Sequence, residues 1–208
     1  FLDELPEFSR NTLEALRQPL EDGVVSVTRI HNQAQYQSSF MMVASMNPCP
    51  CGFYGSKTKK CRCSAKDIRR YLDRISGPLL DRIDIQVEVD AVPVKEISEG
   101  SAAESSAEVG ARVRKVRELQ QARYAQDGIH CNAQLDAGLS KKYCPMTPEA
   151  TALLHMAVER MGMSMRAYGR VVKVARTIAD MDGADTIGTT HVAEAIQYRE
   201  LDGKYWKG

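Results

Sequence analysis

Phe1-Leu2-Asp3-Glu4 sets two apolar residues directly before two adjacent acids. At the end of a buried strand, that order delivers two carboxylates to one point. The first is suited to orienting a magnesium ion, and the second to polarising an attacking water. The plainer alternative is a strand that ends in a solvated acidic turn, and the rest of the chain has to decide between them. A second apolar run, Phe40-Met41-Met42-Val43-Ala44, is continuous rather than alternating, as expected of a strand covered on both faces. It stops at Ser45-Met46-Asn47-Pro48. On the residues alone, Asn47 reads as a turn residue ahead of Pro48.

Working outward, Ser9 is placed to cap a helix carrying Leu13, Leu16 and Leu20 on one face and closed by Asp22-Gly23. Val24-Val25-Ser26-Val27-Thr28-Arg29-Ile30 then reads as a strand, His31-Asn32-Gln33 as a turn and residues 34–37 as the return strand of a hairpin. Further on, Ile83, Ile85, Val87 and Val89 alternate with Asp84, Gln86 and Glu88, which predicts a strand with one exposed face. From Pro93 to about Ala107 the composition turns to Ser, Ala, Glu and Gly, the signature of a linker. Everything beyond reads as helical. Residues 109–123 form a charged amphipathic helix, Thr147-Pro148-Glu149 starts a second, Ser164 caps a third with Ala167, Val171, Val174, Ala175 and Ile178 on one stripe, and Thr189 or Thr190 caps a last one.

Composition excludes some classes. The formal charge is +1 over 208 residues, so any nucleic-acid surface must be local. The chain contains no apolar run long enough to span a membrane and no signal peptide, and the expectation is a cytoplasmic protein without membrane contact. It also contains no G-x-x-x-x-G-K-[ST]. If the opening acids serve a nucleotide, the phosphate-cradling loop is expected upstream of Phe1, and this piece alone should hydrolyse nothing.

Four of the six cysteines lie in two C-x-C pairs, Cys49/Cys51 and Cys61/Cys63. Four thiolates in a Gly- and Lys-rich loop suit a tetrahedral structural zinc, although paired zinc ligands are more often separated by two to four residues. Free thiols and a redox disulfide are the alternatives. Cys131 and Cys144 are isolated and read as structural, and His130 beside Cys131 makes a poor ligand pair. Lys57, Lys59 and Lys60 form a basic cluster within the same loop, which a solvated surface explains nearly as well as a nucleic-acid contact.

The order of these features resembles the AAA+ ATPases, from the acidic strand through to the helical lid. The hairpin ahead of the Asn47 strand narrows the resemblance to the branch holding magnesium-chelatase subunits and MCM helicases. Met42-Val43-Ala44-Ser45-Met46-Asn47-Pro48-Cys49-Pro50-Cys51-Gly52 and Arg74-Ile75-Ser76-Gly77-Pro78-Leu79-Leu80-Asp81-Arg82-Ile83-Asp84 are similar to the bacterial magnesium-chelatase-like proteins of the ComM/YifB family. The resemblance implies an ATP site in which Asp3 positions Mg2+, Glu4 orients the hydrolytic water and Asn47 is the sensor 1 amide. It implies that Arg82 is an arginine finger acting on the neighbouring subunit's nucleotide, where a planar five-donor cation suits phosphoryl oxygens; a salt bridge to Asp81 or Asp84 is the ordinary alternative. Arg166 resembles sensor 2 in the lid, and Arg70 and Arg74 are candidates for the same subunit interface; an ordinary exposed helix cation and a solvated helix face are the respective alternatives. In related helicases the hairpin enters a central channel, which makes Arg29, His31 and Asn32 the candidate DNA contacts here, with Gln33 beside them.

The expected architecture is therefore an α/β partial AAA+ P-loop core, with a truncated parallel sheet and a β-hairpin insertion, over residues 1–92. A linker follows at 93–108, then an all-α lid at 109–208. The expected function is that of an ATPase coupling ATP hydrolysis to DNA translocation and branch migration in natural transformation, with its own subunits in a hexameric ring and single-stranded or branched DNA as partners. The rivals are a chelatase-type motor that remodels a partner protein and a non-enzymatic zinc-bearing binding module.

Overall fold

The computed structural model describes residues 1–29, 32–89, 104–199 and 201–206. They fall into two compact units, Phe1–Ile83 with Leu201–Gly208, and Asp84–Glu200. The expected linker at 93–108 lies outside the described residues up to residue 103, and residue 106 already belongs to a helix.

In the first unit, Glu4 turns the chain into a short 3-10 helix, Leu5–Glu7, with Pro6 inside it and Leu5 buried. Helix α1 (Arg10–Ala15) begins where Ser9 Oγ accepts the Thr12 N–H at 3.2 Å. After one further turn α2 (Arg17–Asp22) ends on Gly23, whose left-handed φ of 65° stops the helix. Strands β1 (Val24–Arg29) and β2 (Asn32–Gln37) then pair antiparallel from Val24↔Gln37 to Arg29↔Asn32. The hairpin is thus as the alternation predicts, but its loop is shorter: Asn32 and Gln33 belong to the return strand and not to the turn. Helices α3 (Ala65–Leu72) and α4 (Gly77–Leu80) follow, capped by Ser64 and Ser76. The core gathers Leu5, Leu13, Ile75, Leu79 and Leu80, with Leu2, Leu16, Leu20 and Met46 packed against it.

Two expected strands do not form among the described residues. Residues 40–44 form no strand, and among the described residues their pairing is a single parallel bridge from Ala44 to Leu2. Phe40 and Val43 are about half exposed and Met41 is 87% exposed. A continuous apolar run becomes a buried strand only when neighbours cover both of its edges and faces, and here Leu2 alone pairs with it. Residues 83–89 likewise have no strand partner among the described residues: Ile85, Val87 and Val89 are exposed, and the Gln86 N–H donates to the Tyr198 carbonyl at 3.0 Å. Alternation is a local signal, whereas pairing is made by residues far away in sequence.

The second unit is helical: α5 (Ser106–Arg123), α6 (Ala137–Tyr143), α7 (Pro148–Met161), α8 (Met165–Met181) and α9 (Thr189–Gln197). A capping box opens α5, with Ser105 N–H on Glu108 Oε2 at 2.8 Å and Glu108 N–H on Ser105 Oγ at 3.3 Å. Thr147 and Ser164 cap α7 and α8 through the N–H groups of Ala150 and Ala167. The buried stripe of α8 holds Ala167, Val171, Ala175 and Ala179 together with Arg176 and Asp180, while Val174 and Ile178 are only half-buried. Around it pack Tyr124, Leu135, Leu154, Ile187 and Val192.

Residues 201–206 group with the first unit and not with the helical piece that precedes them in sequence. Trp206 packs against the Leu5–Leu80 core, and its indole N–H donates to the Leu72 carbonyl at 3.2 Å. Among the described residues no helix is long and apolar enough to cross a membrane.

Candidate functional site

Leu2 and residues 43–45 run parallel, with Leu2 N–H on the Val43 carbonyl at 2.8 Å and Ser45 N–H on the Leu2 carbonyl at 2.9 Å. The Leu5 N–H then reaches the Ser45 carbonyl at 2.9 Å. This register sets Asp3 directly beside Ser45, whose hydroxyl donates to Asp3 Oδ1; the same oxygen accepts the Glu4 N–H at 3.1 Å. Glu4 stands at φ 51°, the one left-handed non-glycine backbone among the described residues, a conformation that costs roughly 1–2 kcal/mol. The chain turns there immediately after Asp3, and both carboxylates are exposed.

Asn47 also lies exposed, two residues beyond Ser45. Its carboxamide faces Gly52, where an added Cβ would stand 3.7 Å from Asn47 Oδ1. Tyr71, whose hydroxyl burial pushes its pKa upward, bonds the Asn47 backbone. Asp3, Glu4 and Asn47 therefore belong to the ends of neighbouring parallel segments and offer oxygen ligands, the chemistry a magnesium ion prefers. Ser45, which nothing in the sequence reading singled out, is the residue that ties the two ends together. Its signal was its place at the end of an apolar run, two residues ahead of Asn47.

Arg82 lies elsewhere in the same unit and is turned inward, 7% exposed. Its guanidinium donates to Glu21, to the Arg17 carbonyl at 3.1 Å and to the Pro78 carbonyl at 2.6 Å. Of the two acids the sequence suggested as its partners, Asp84 pairs with Arg170 at 2.5 Å. Arg166 is exposed in the first turn of α8, in the second unit. Arg74 is anchored by the Pro6 carbonyl at 2.8 Å and Glu7 at 3.1 Å, and Arg70 is exposed on α3. At the hairpin, Arg29 and Asn32 form the last pair before the loop, and His31 lies outside the described residues.

The two C-x-C pairs converge. Cys49 Sγ is 3.4 Å from Cys51 Sγ and 3.7 Å from Cys61 Sγ, Cys51 and Cys61 are 3.5 Å apart, and all four sulfurs including Cys63 lie within 4.8 Å of one another. The short spacing within each pair is no obstacle, because turns at Gly52 (φ 79°) and Gly55 (φ 77°) fold the intervening loop back. Backbone N–H groups point at the sulfurs: Tyr54 N–H donates to Cys49 Sγ at 3.3 Å, and those of Arg62 and Phe53 pull the Cys51 thiol down to about 6. Burial among the other sulfurs pushes Cys63 up to about 12. Four soft sulfurs within this reach of one another fit a tetrahedral zinc. Cys144 is buried, with its thiol raised to about 11 by that burial, and Cys131 donates to Gln134; neither joins a cluster among the described residues.

Comparison with known proteins matches residues 1–97 to the family described as magnesium chelatase, subunit ChlI, and residues 103–199 to the C-terminal part of the same subunit. The competence protein ComM of Haemophilus influenzae is 42% identical over 97% of this chain and 38% of its own length. The YifB protein of Escherichia coli is 41% identical over 97% of this chain and 39% of its own. An uncharacterized protein of Mycobacterium tuberculosis is 36% identical over 98% of this chain and 40% of its own. The chain thus spans about two-fifths of the length of these relatives. With both parts of the subunit matched in order along almost all of its residues, the chain belongs to the magnesium chelatase ChlI family.

Proposed function

We propose that this chain is part of a ring-forming AAA+ ATPase, and that the whole protein couples ATP hydrolysis to movement along DNA, promoting branch migration. The observation that carries the hydrolytic reading is the contact of Asp3 with Ser45. It supports the reading because it sets Asp3 beside the segment that ends in Asn47, where the proposed metal-orienting carboxylate, water-orienting carboxylate and amide would act together. Bound magnesium supplies charge neutralisation on the phosphates. Asp3 would hold it, Glu4 would orient the water and Asn47 would bond that water and the terminal phosphate. Arg82 serves this reading in a hexamer by leaving Glu21 and reaching the nucleotide of the adjacent subunit, with Arg166 coupling the lid to nucleotide state.

The competence designation of the Haemophilus relative supports DNA as the track, and the hairpin bearing Arg29, His31 and Asn32 is the element offered to it. The cysteine cluster is read as a structural zinc site that holds the loop following Asn47 in shape.

The test is ATP hydrolysis by the full-length parent, with and without single-stranded and branched DNA, beside Glu4→Gln. Hydrolysis that DNA stimulates and Glu4→Gln abolishes supports the reading. Hydrolysis indifferent to DNA favours a motor that remodels a partner protein, and an inactive parent sinks the enzyme reading.

A further inference from the structure

A shallow, open depression of about 480 Å3 on the first unit is lined by Arg10, Lys66, Arg69, Arg70, Asp73 and Arg74, five cations and one carboxylate. The sequence spacing explains the concentration. Lys66, Arg69, Arg70 and Asp73 follow the i, i+3, i+4, i+7 pattern that puts side chains on one face of α3, while Tyr71 and Leu72 point into the core. Arg10, at the start of α1, closes the other side.

Not all of this charge is compensated. Arg69 pairs with Asp73 at 3.1 Å, and Arg74 is held by Pro6 and Glu7. Lys66 and Arg70 make no ion pair among the described residues, and both are exposed, as is Arg10, whose charge acts on Glu14. Like charges at i, i+4, as Lys66 and Arg70 are, destabilise a helix by a few tenths of a kcal/mol. A bound anion would relieve that repulsion.

We propose that this depression binds the phosphates of a nucleic-acid backbone without reading its bases. Arginine forks match phosphate oxygens in pairs of hydrogen bonds, and lysine adds a point charge. All six lining residues are charged, so no aromatic ring is present on which a base could stack. The inference rests on DNA being the track and adds to it a contact built from α1 and α3 instead of the hairpin.

The test measures binding of a labelled oligothymidylate of about 30 nucleotides to the full-length parent over a range of salt. Beside it run the triple variant Arg10→Gln/Lys66→Gln/Arg70→Gln and the charge-keeping Arg10→Lys/Arg70→Lys. The triple variant is expected to bind roughly tenfold more weakly, with its log–log salt slope reduced by about two, as three lost single-strand phosphate contacts require. The charge-keeping variant, made at the same positions, is expected to retain the parent's slope, which separates loss of charge from loss of fold. Unchanged affinity and slope in the triple variant overturn the site while leaving DNA as the track. A triple variant that loses ATP affinity or changes assembly size, but keeps DNA affinity, also overturns it, in favour of nucleotide phosphates or a subunit contact. A parent that binds no oligonucleotide overturns both readings.

Discussion

Arg82 and Glu21 form an ion pair in which the guanidinium is almost wholly buried and the carboxylate is about one-third exposed. The carbonyls of Arg17 and Pro78 take two more of its N–H groups, so the cation is held by the end of α2 on one side and by α4 on the other. In the proposed finger role, Arg82 rests inside its own subunit and would have to exchange these hydrogen bonds for phosphate oxygens to reach a neighbouring nucleotide.

Arg82→Ala is accordingly expected to cost stability as well as activity. Loss of a buried, hydrogen-bonded cation should destabilise the unit by about 1–3 kcal/mol. Glu21→Ala should cost at least a comparable amount, because it leaves the Arg82 guanidinium buried without its counter-charge. A double-mutant cycle read by thermal denaturation of the full-length protein should give a favourable coupling of about 1 kcal/mol or more. Strict additivity of the two substitutions would mean that the pair does not form in solution. Glu21→Gln is the informative partner in hydrolysis assays, since it loosens Arg82 without removing it.

The parts of this fold legible in the sequence are those whose hydrogen bonds close locally. Ser9, Thr147 and Ser164 each cap a helix three residues ahead, and Gly23 ends α2, because side chain and N–H meet within one turn. The cysteine cluster was legible for a similar reason: ligands twelve residues apart can meet through a glycine-turned loop. The runs at 40–44 and 83–89 misled because an apolar pattern does not name its partner strand. Arg82 found Glu21, Asp3 found Ser45 and Trp206 found Leu72 across separations that no periodicity encodes. Arg176 and Asp180 were passed over on the α8 stripe because charged residues are rarely read as core, although each satisfies the other.

Zinc should co-purify with the full-length protein at about one ion per chain and be released by a thiol-modifying reagent, as a four-thiolate site requires. Cys61→Ser should lower the content sharply, while Cys131→Ser, outside the cluster, should leave it unchanged. Metal analysis of the three preparations decides this. Full retention of zinc in Cys61→Ser would remove the four-sulfur assignment.

Asp180 organises the helical unit. It accepts from Arg123 at 2.5 and 2.9 Å, from Arg176 at 3.0 Å, from Asn132 at 2.9 Å and from Gln120 at 3.2 Å. Burial alone would raise its pKa, but the bonds from Arg123 and Asn132 and the charge of Arg176 outweigh that and hold the carboxyl below its usual range. A carboxyl depressed on folding contributes stability that is complete above its unfolded pKa, near 4, and lost as pH falls through the lower folded value. The helical unit should thus keep its stability from neutral pH down to about 4 and lose it below that. Asp180→Asn should cost about 3–5 kcal/mol at neutral pH, because Arg176 is then buried without a counter-charge, and should flatten the acid limb. An acid limb unchanged in Asp180→Asn would assign the acid loss to other carboxylates.

Ser45 provides the sharpest test of the acidic edge, because it touches Asp3 without being a ligand or a base in the proposed reaction. Its hydroxyl occupies Asp3 Oδ1, so the second oxygen is the one turned to other partners, and the carboxylate plane is fixed relative to the segment that ends in Asn47. Ser45→Ala removes one charge-assisted hydrogen bond to an exposed carboxylate. Stability should therefore change by less than about 1 kcal/mol, while the orientation of Asp3 is lost. In the full-length protein the expected outcome is a drop in kcat of roughly tenfold, part of which excess magnesium restores by compensating for a less well-held ion. Ser45→Thr, which keeps the hydroxyl, should stay near the parent. A role confined to packing would instead lower the thermal midpoint in Ser45→Ala and leave the magnesium dependence of hydrolysis where it was, so the magnesium titration separates the two.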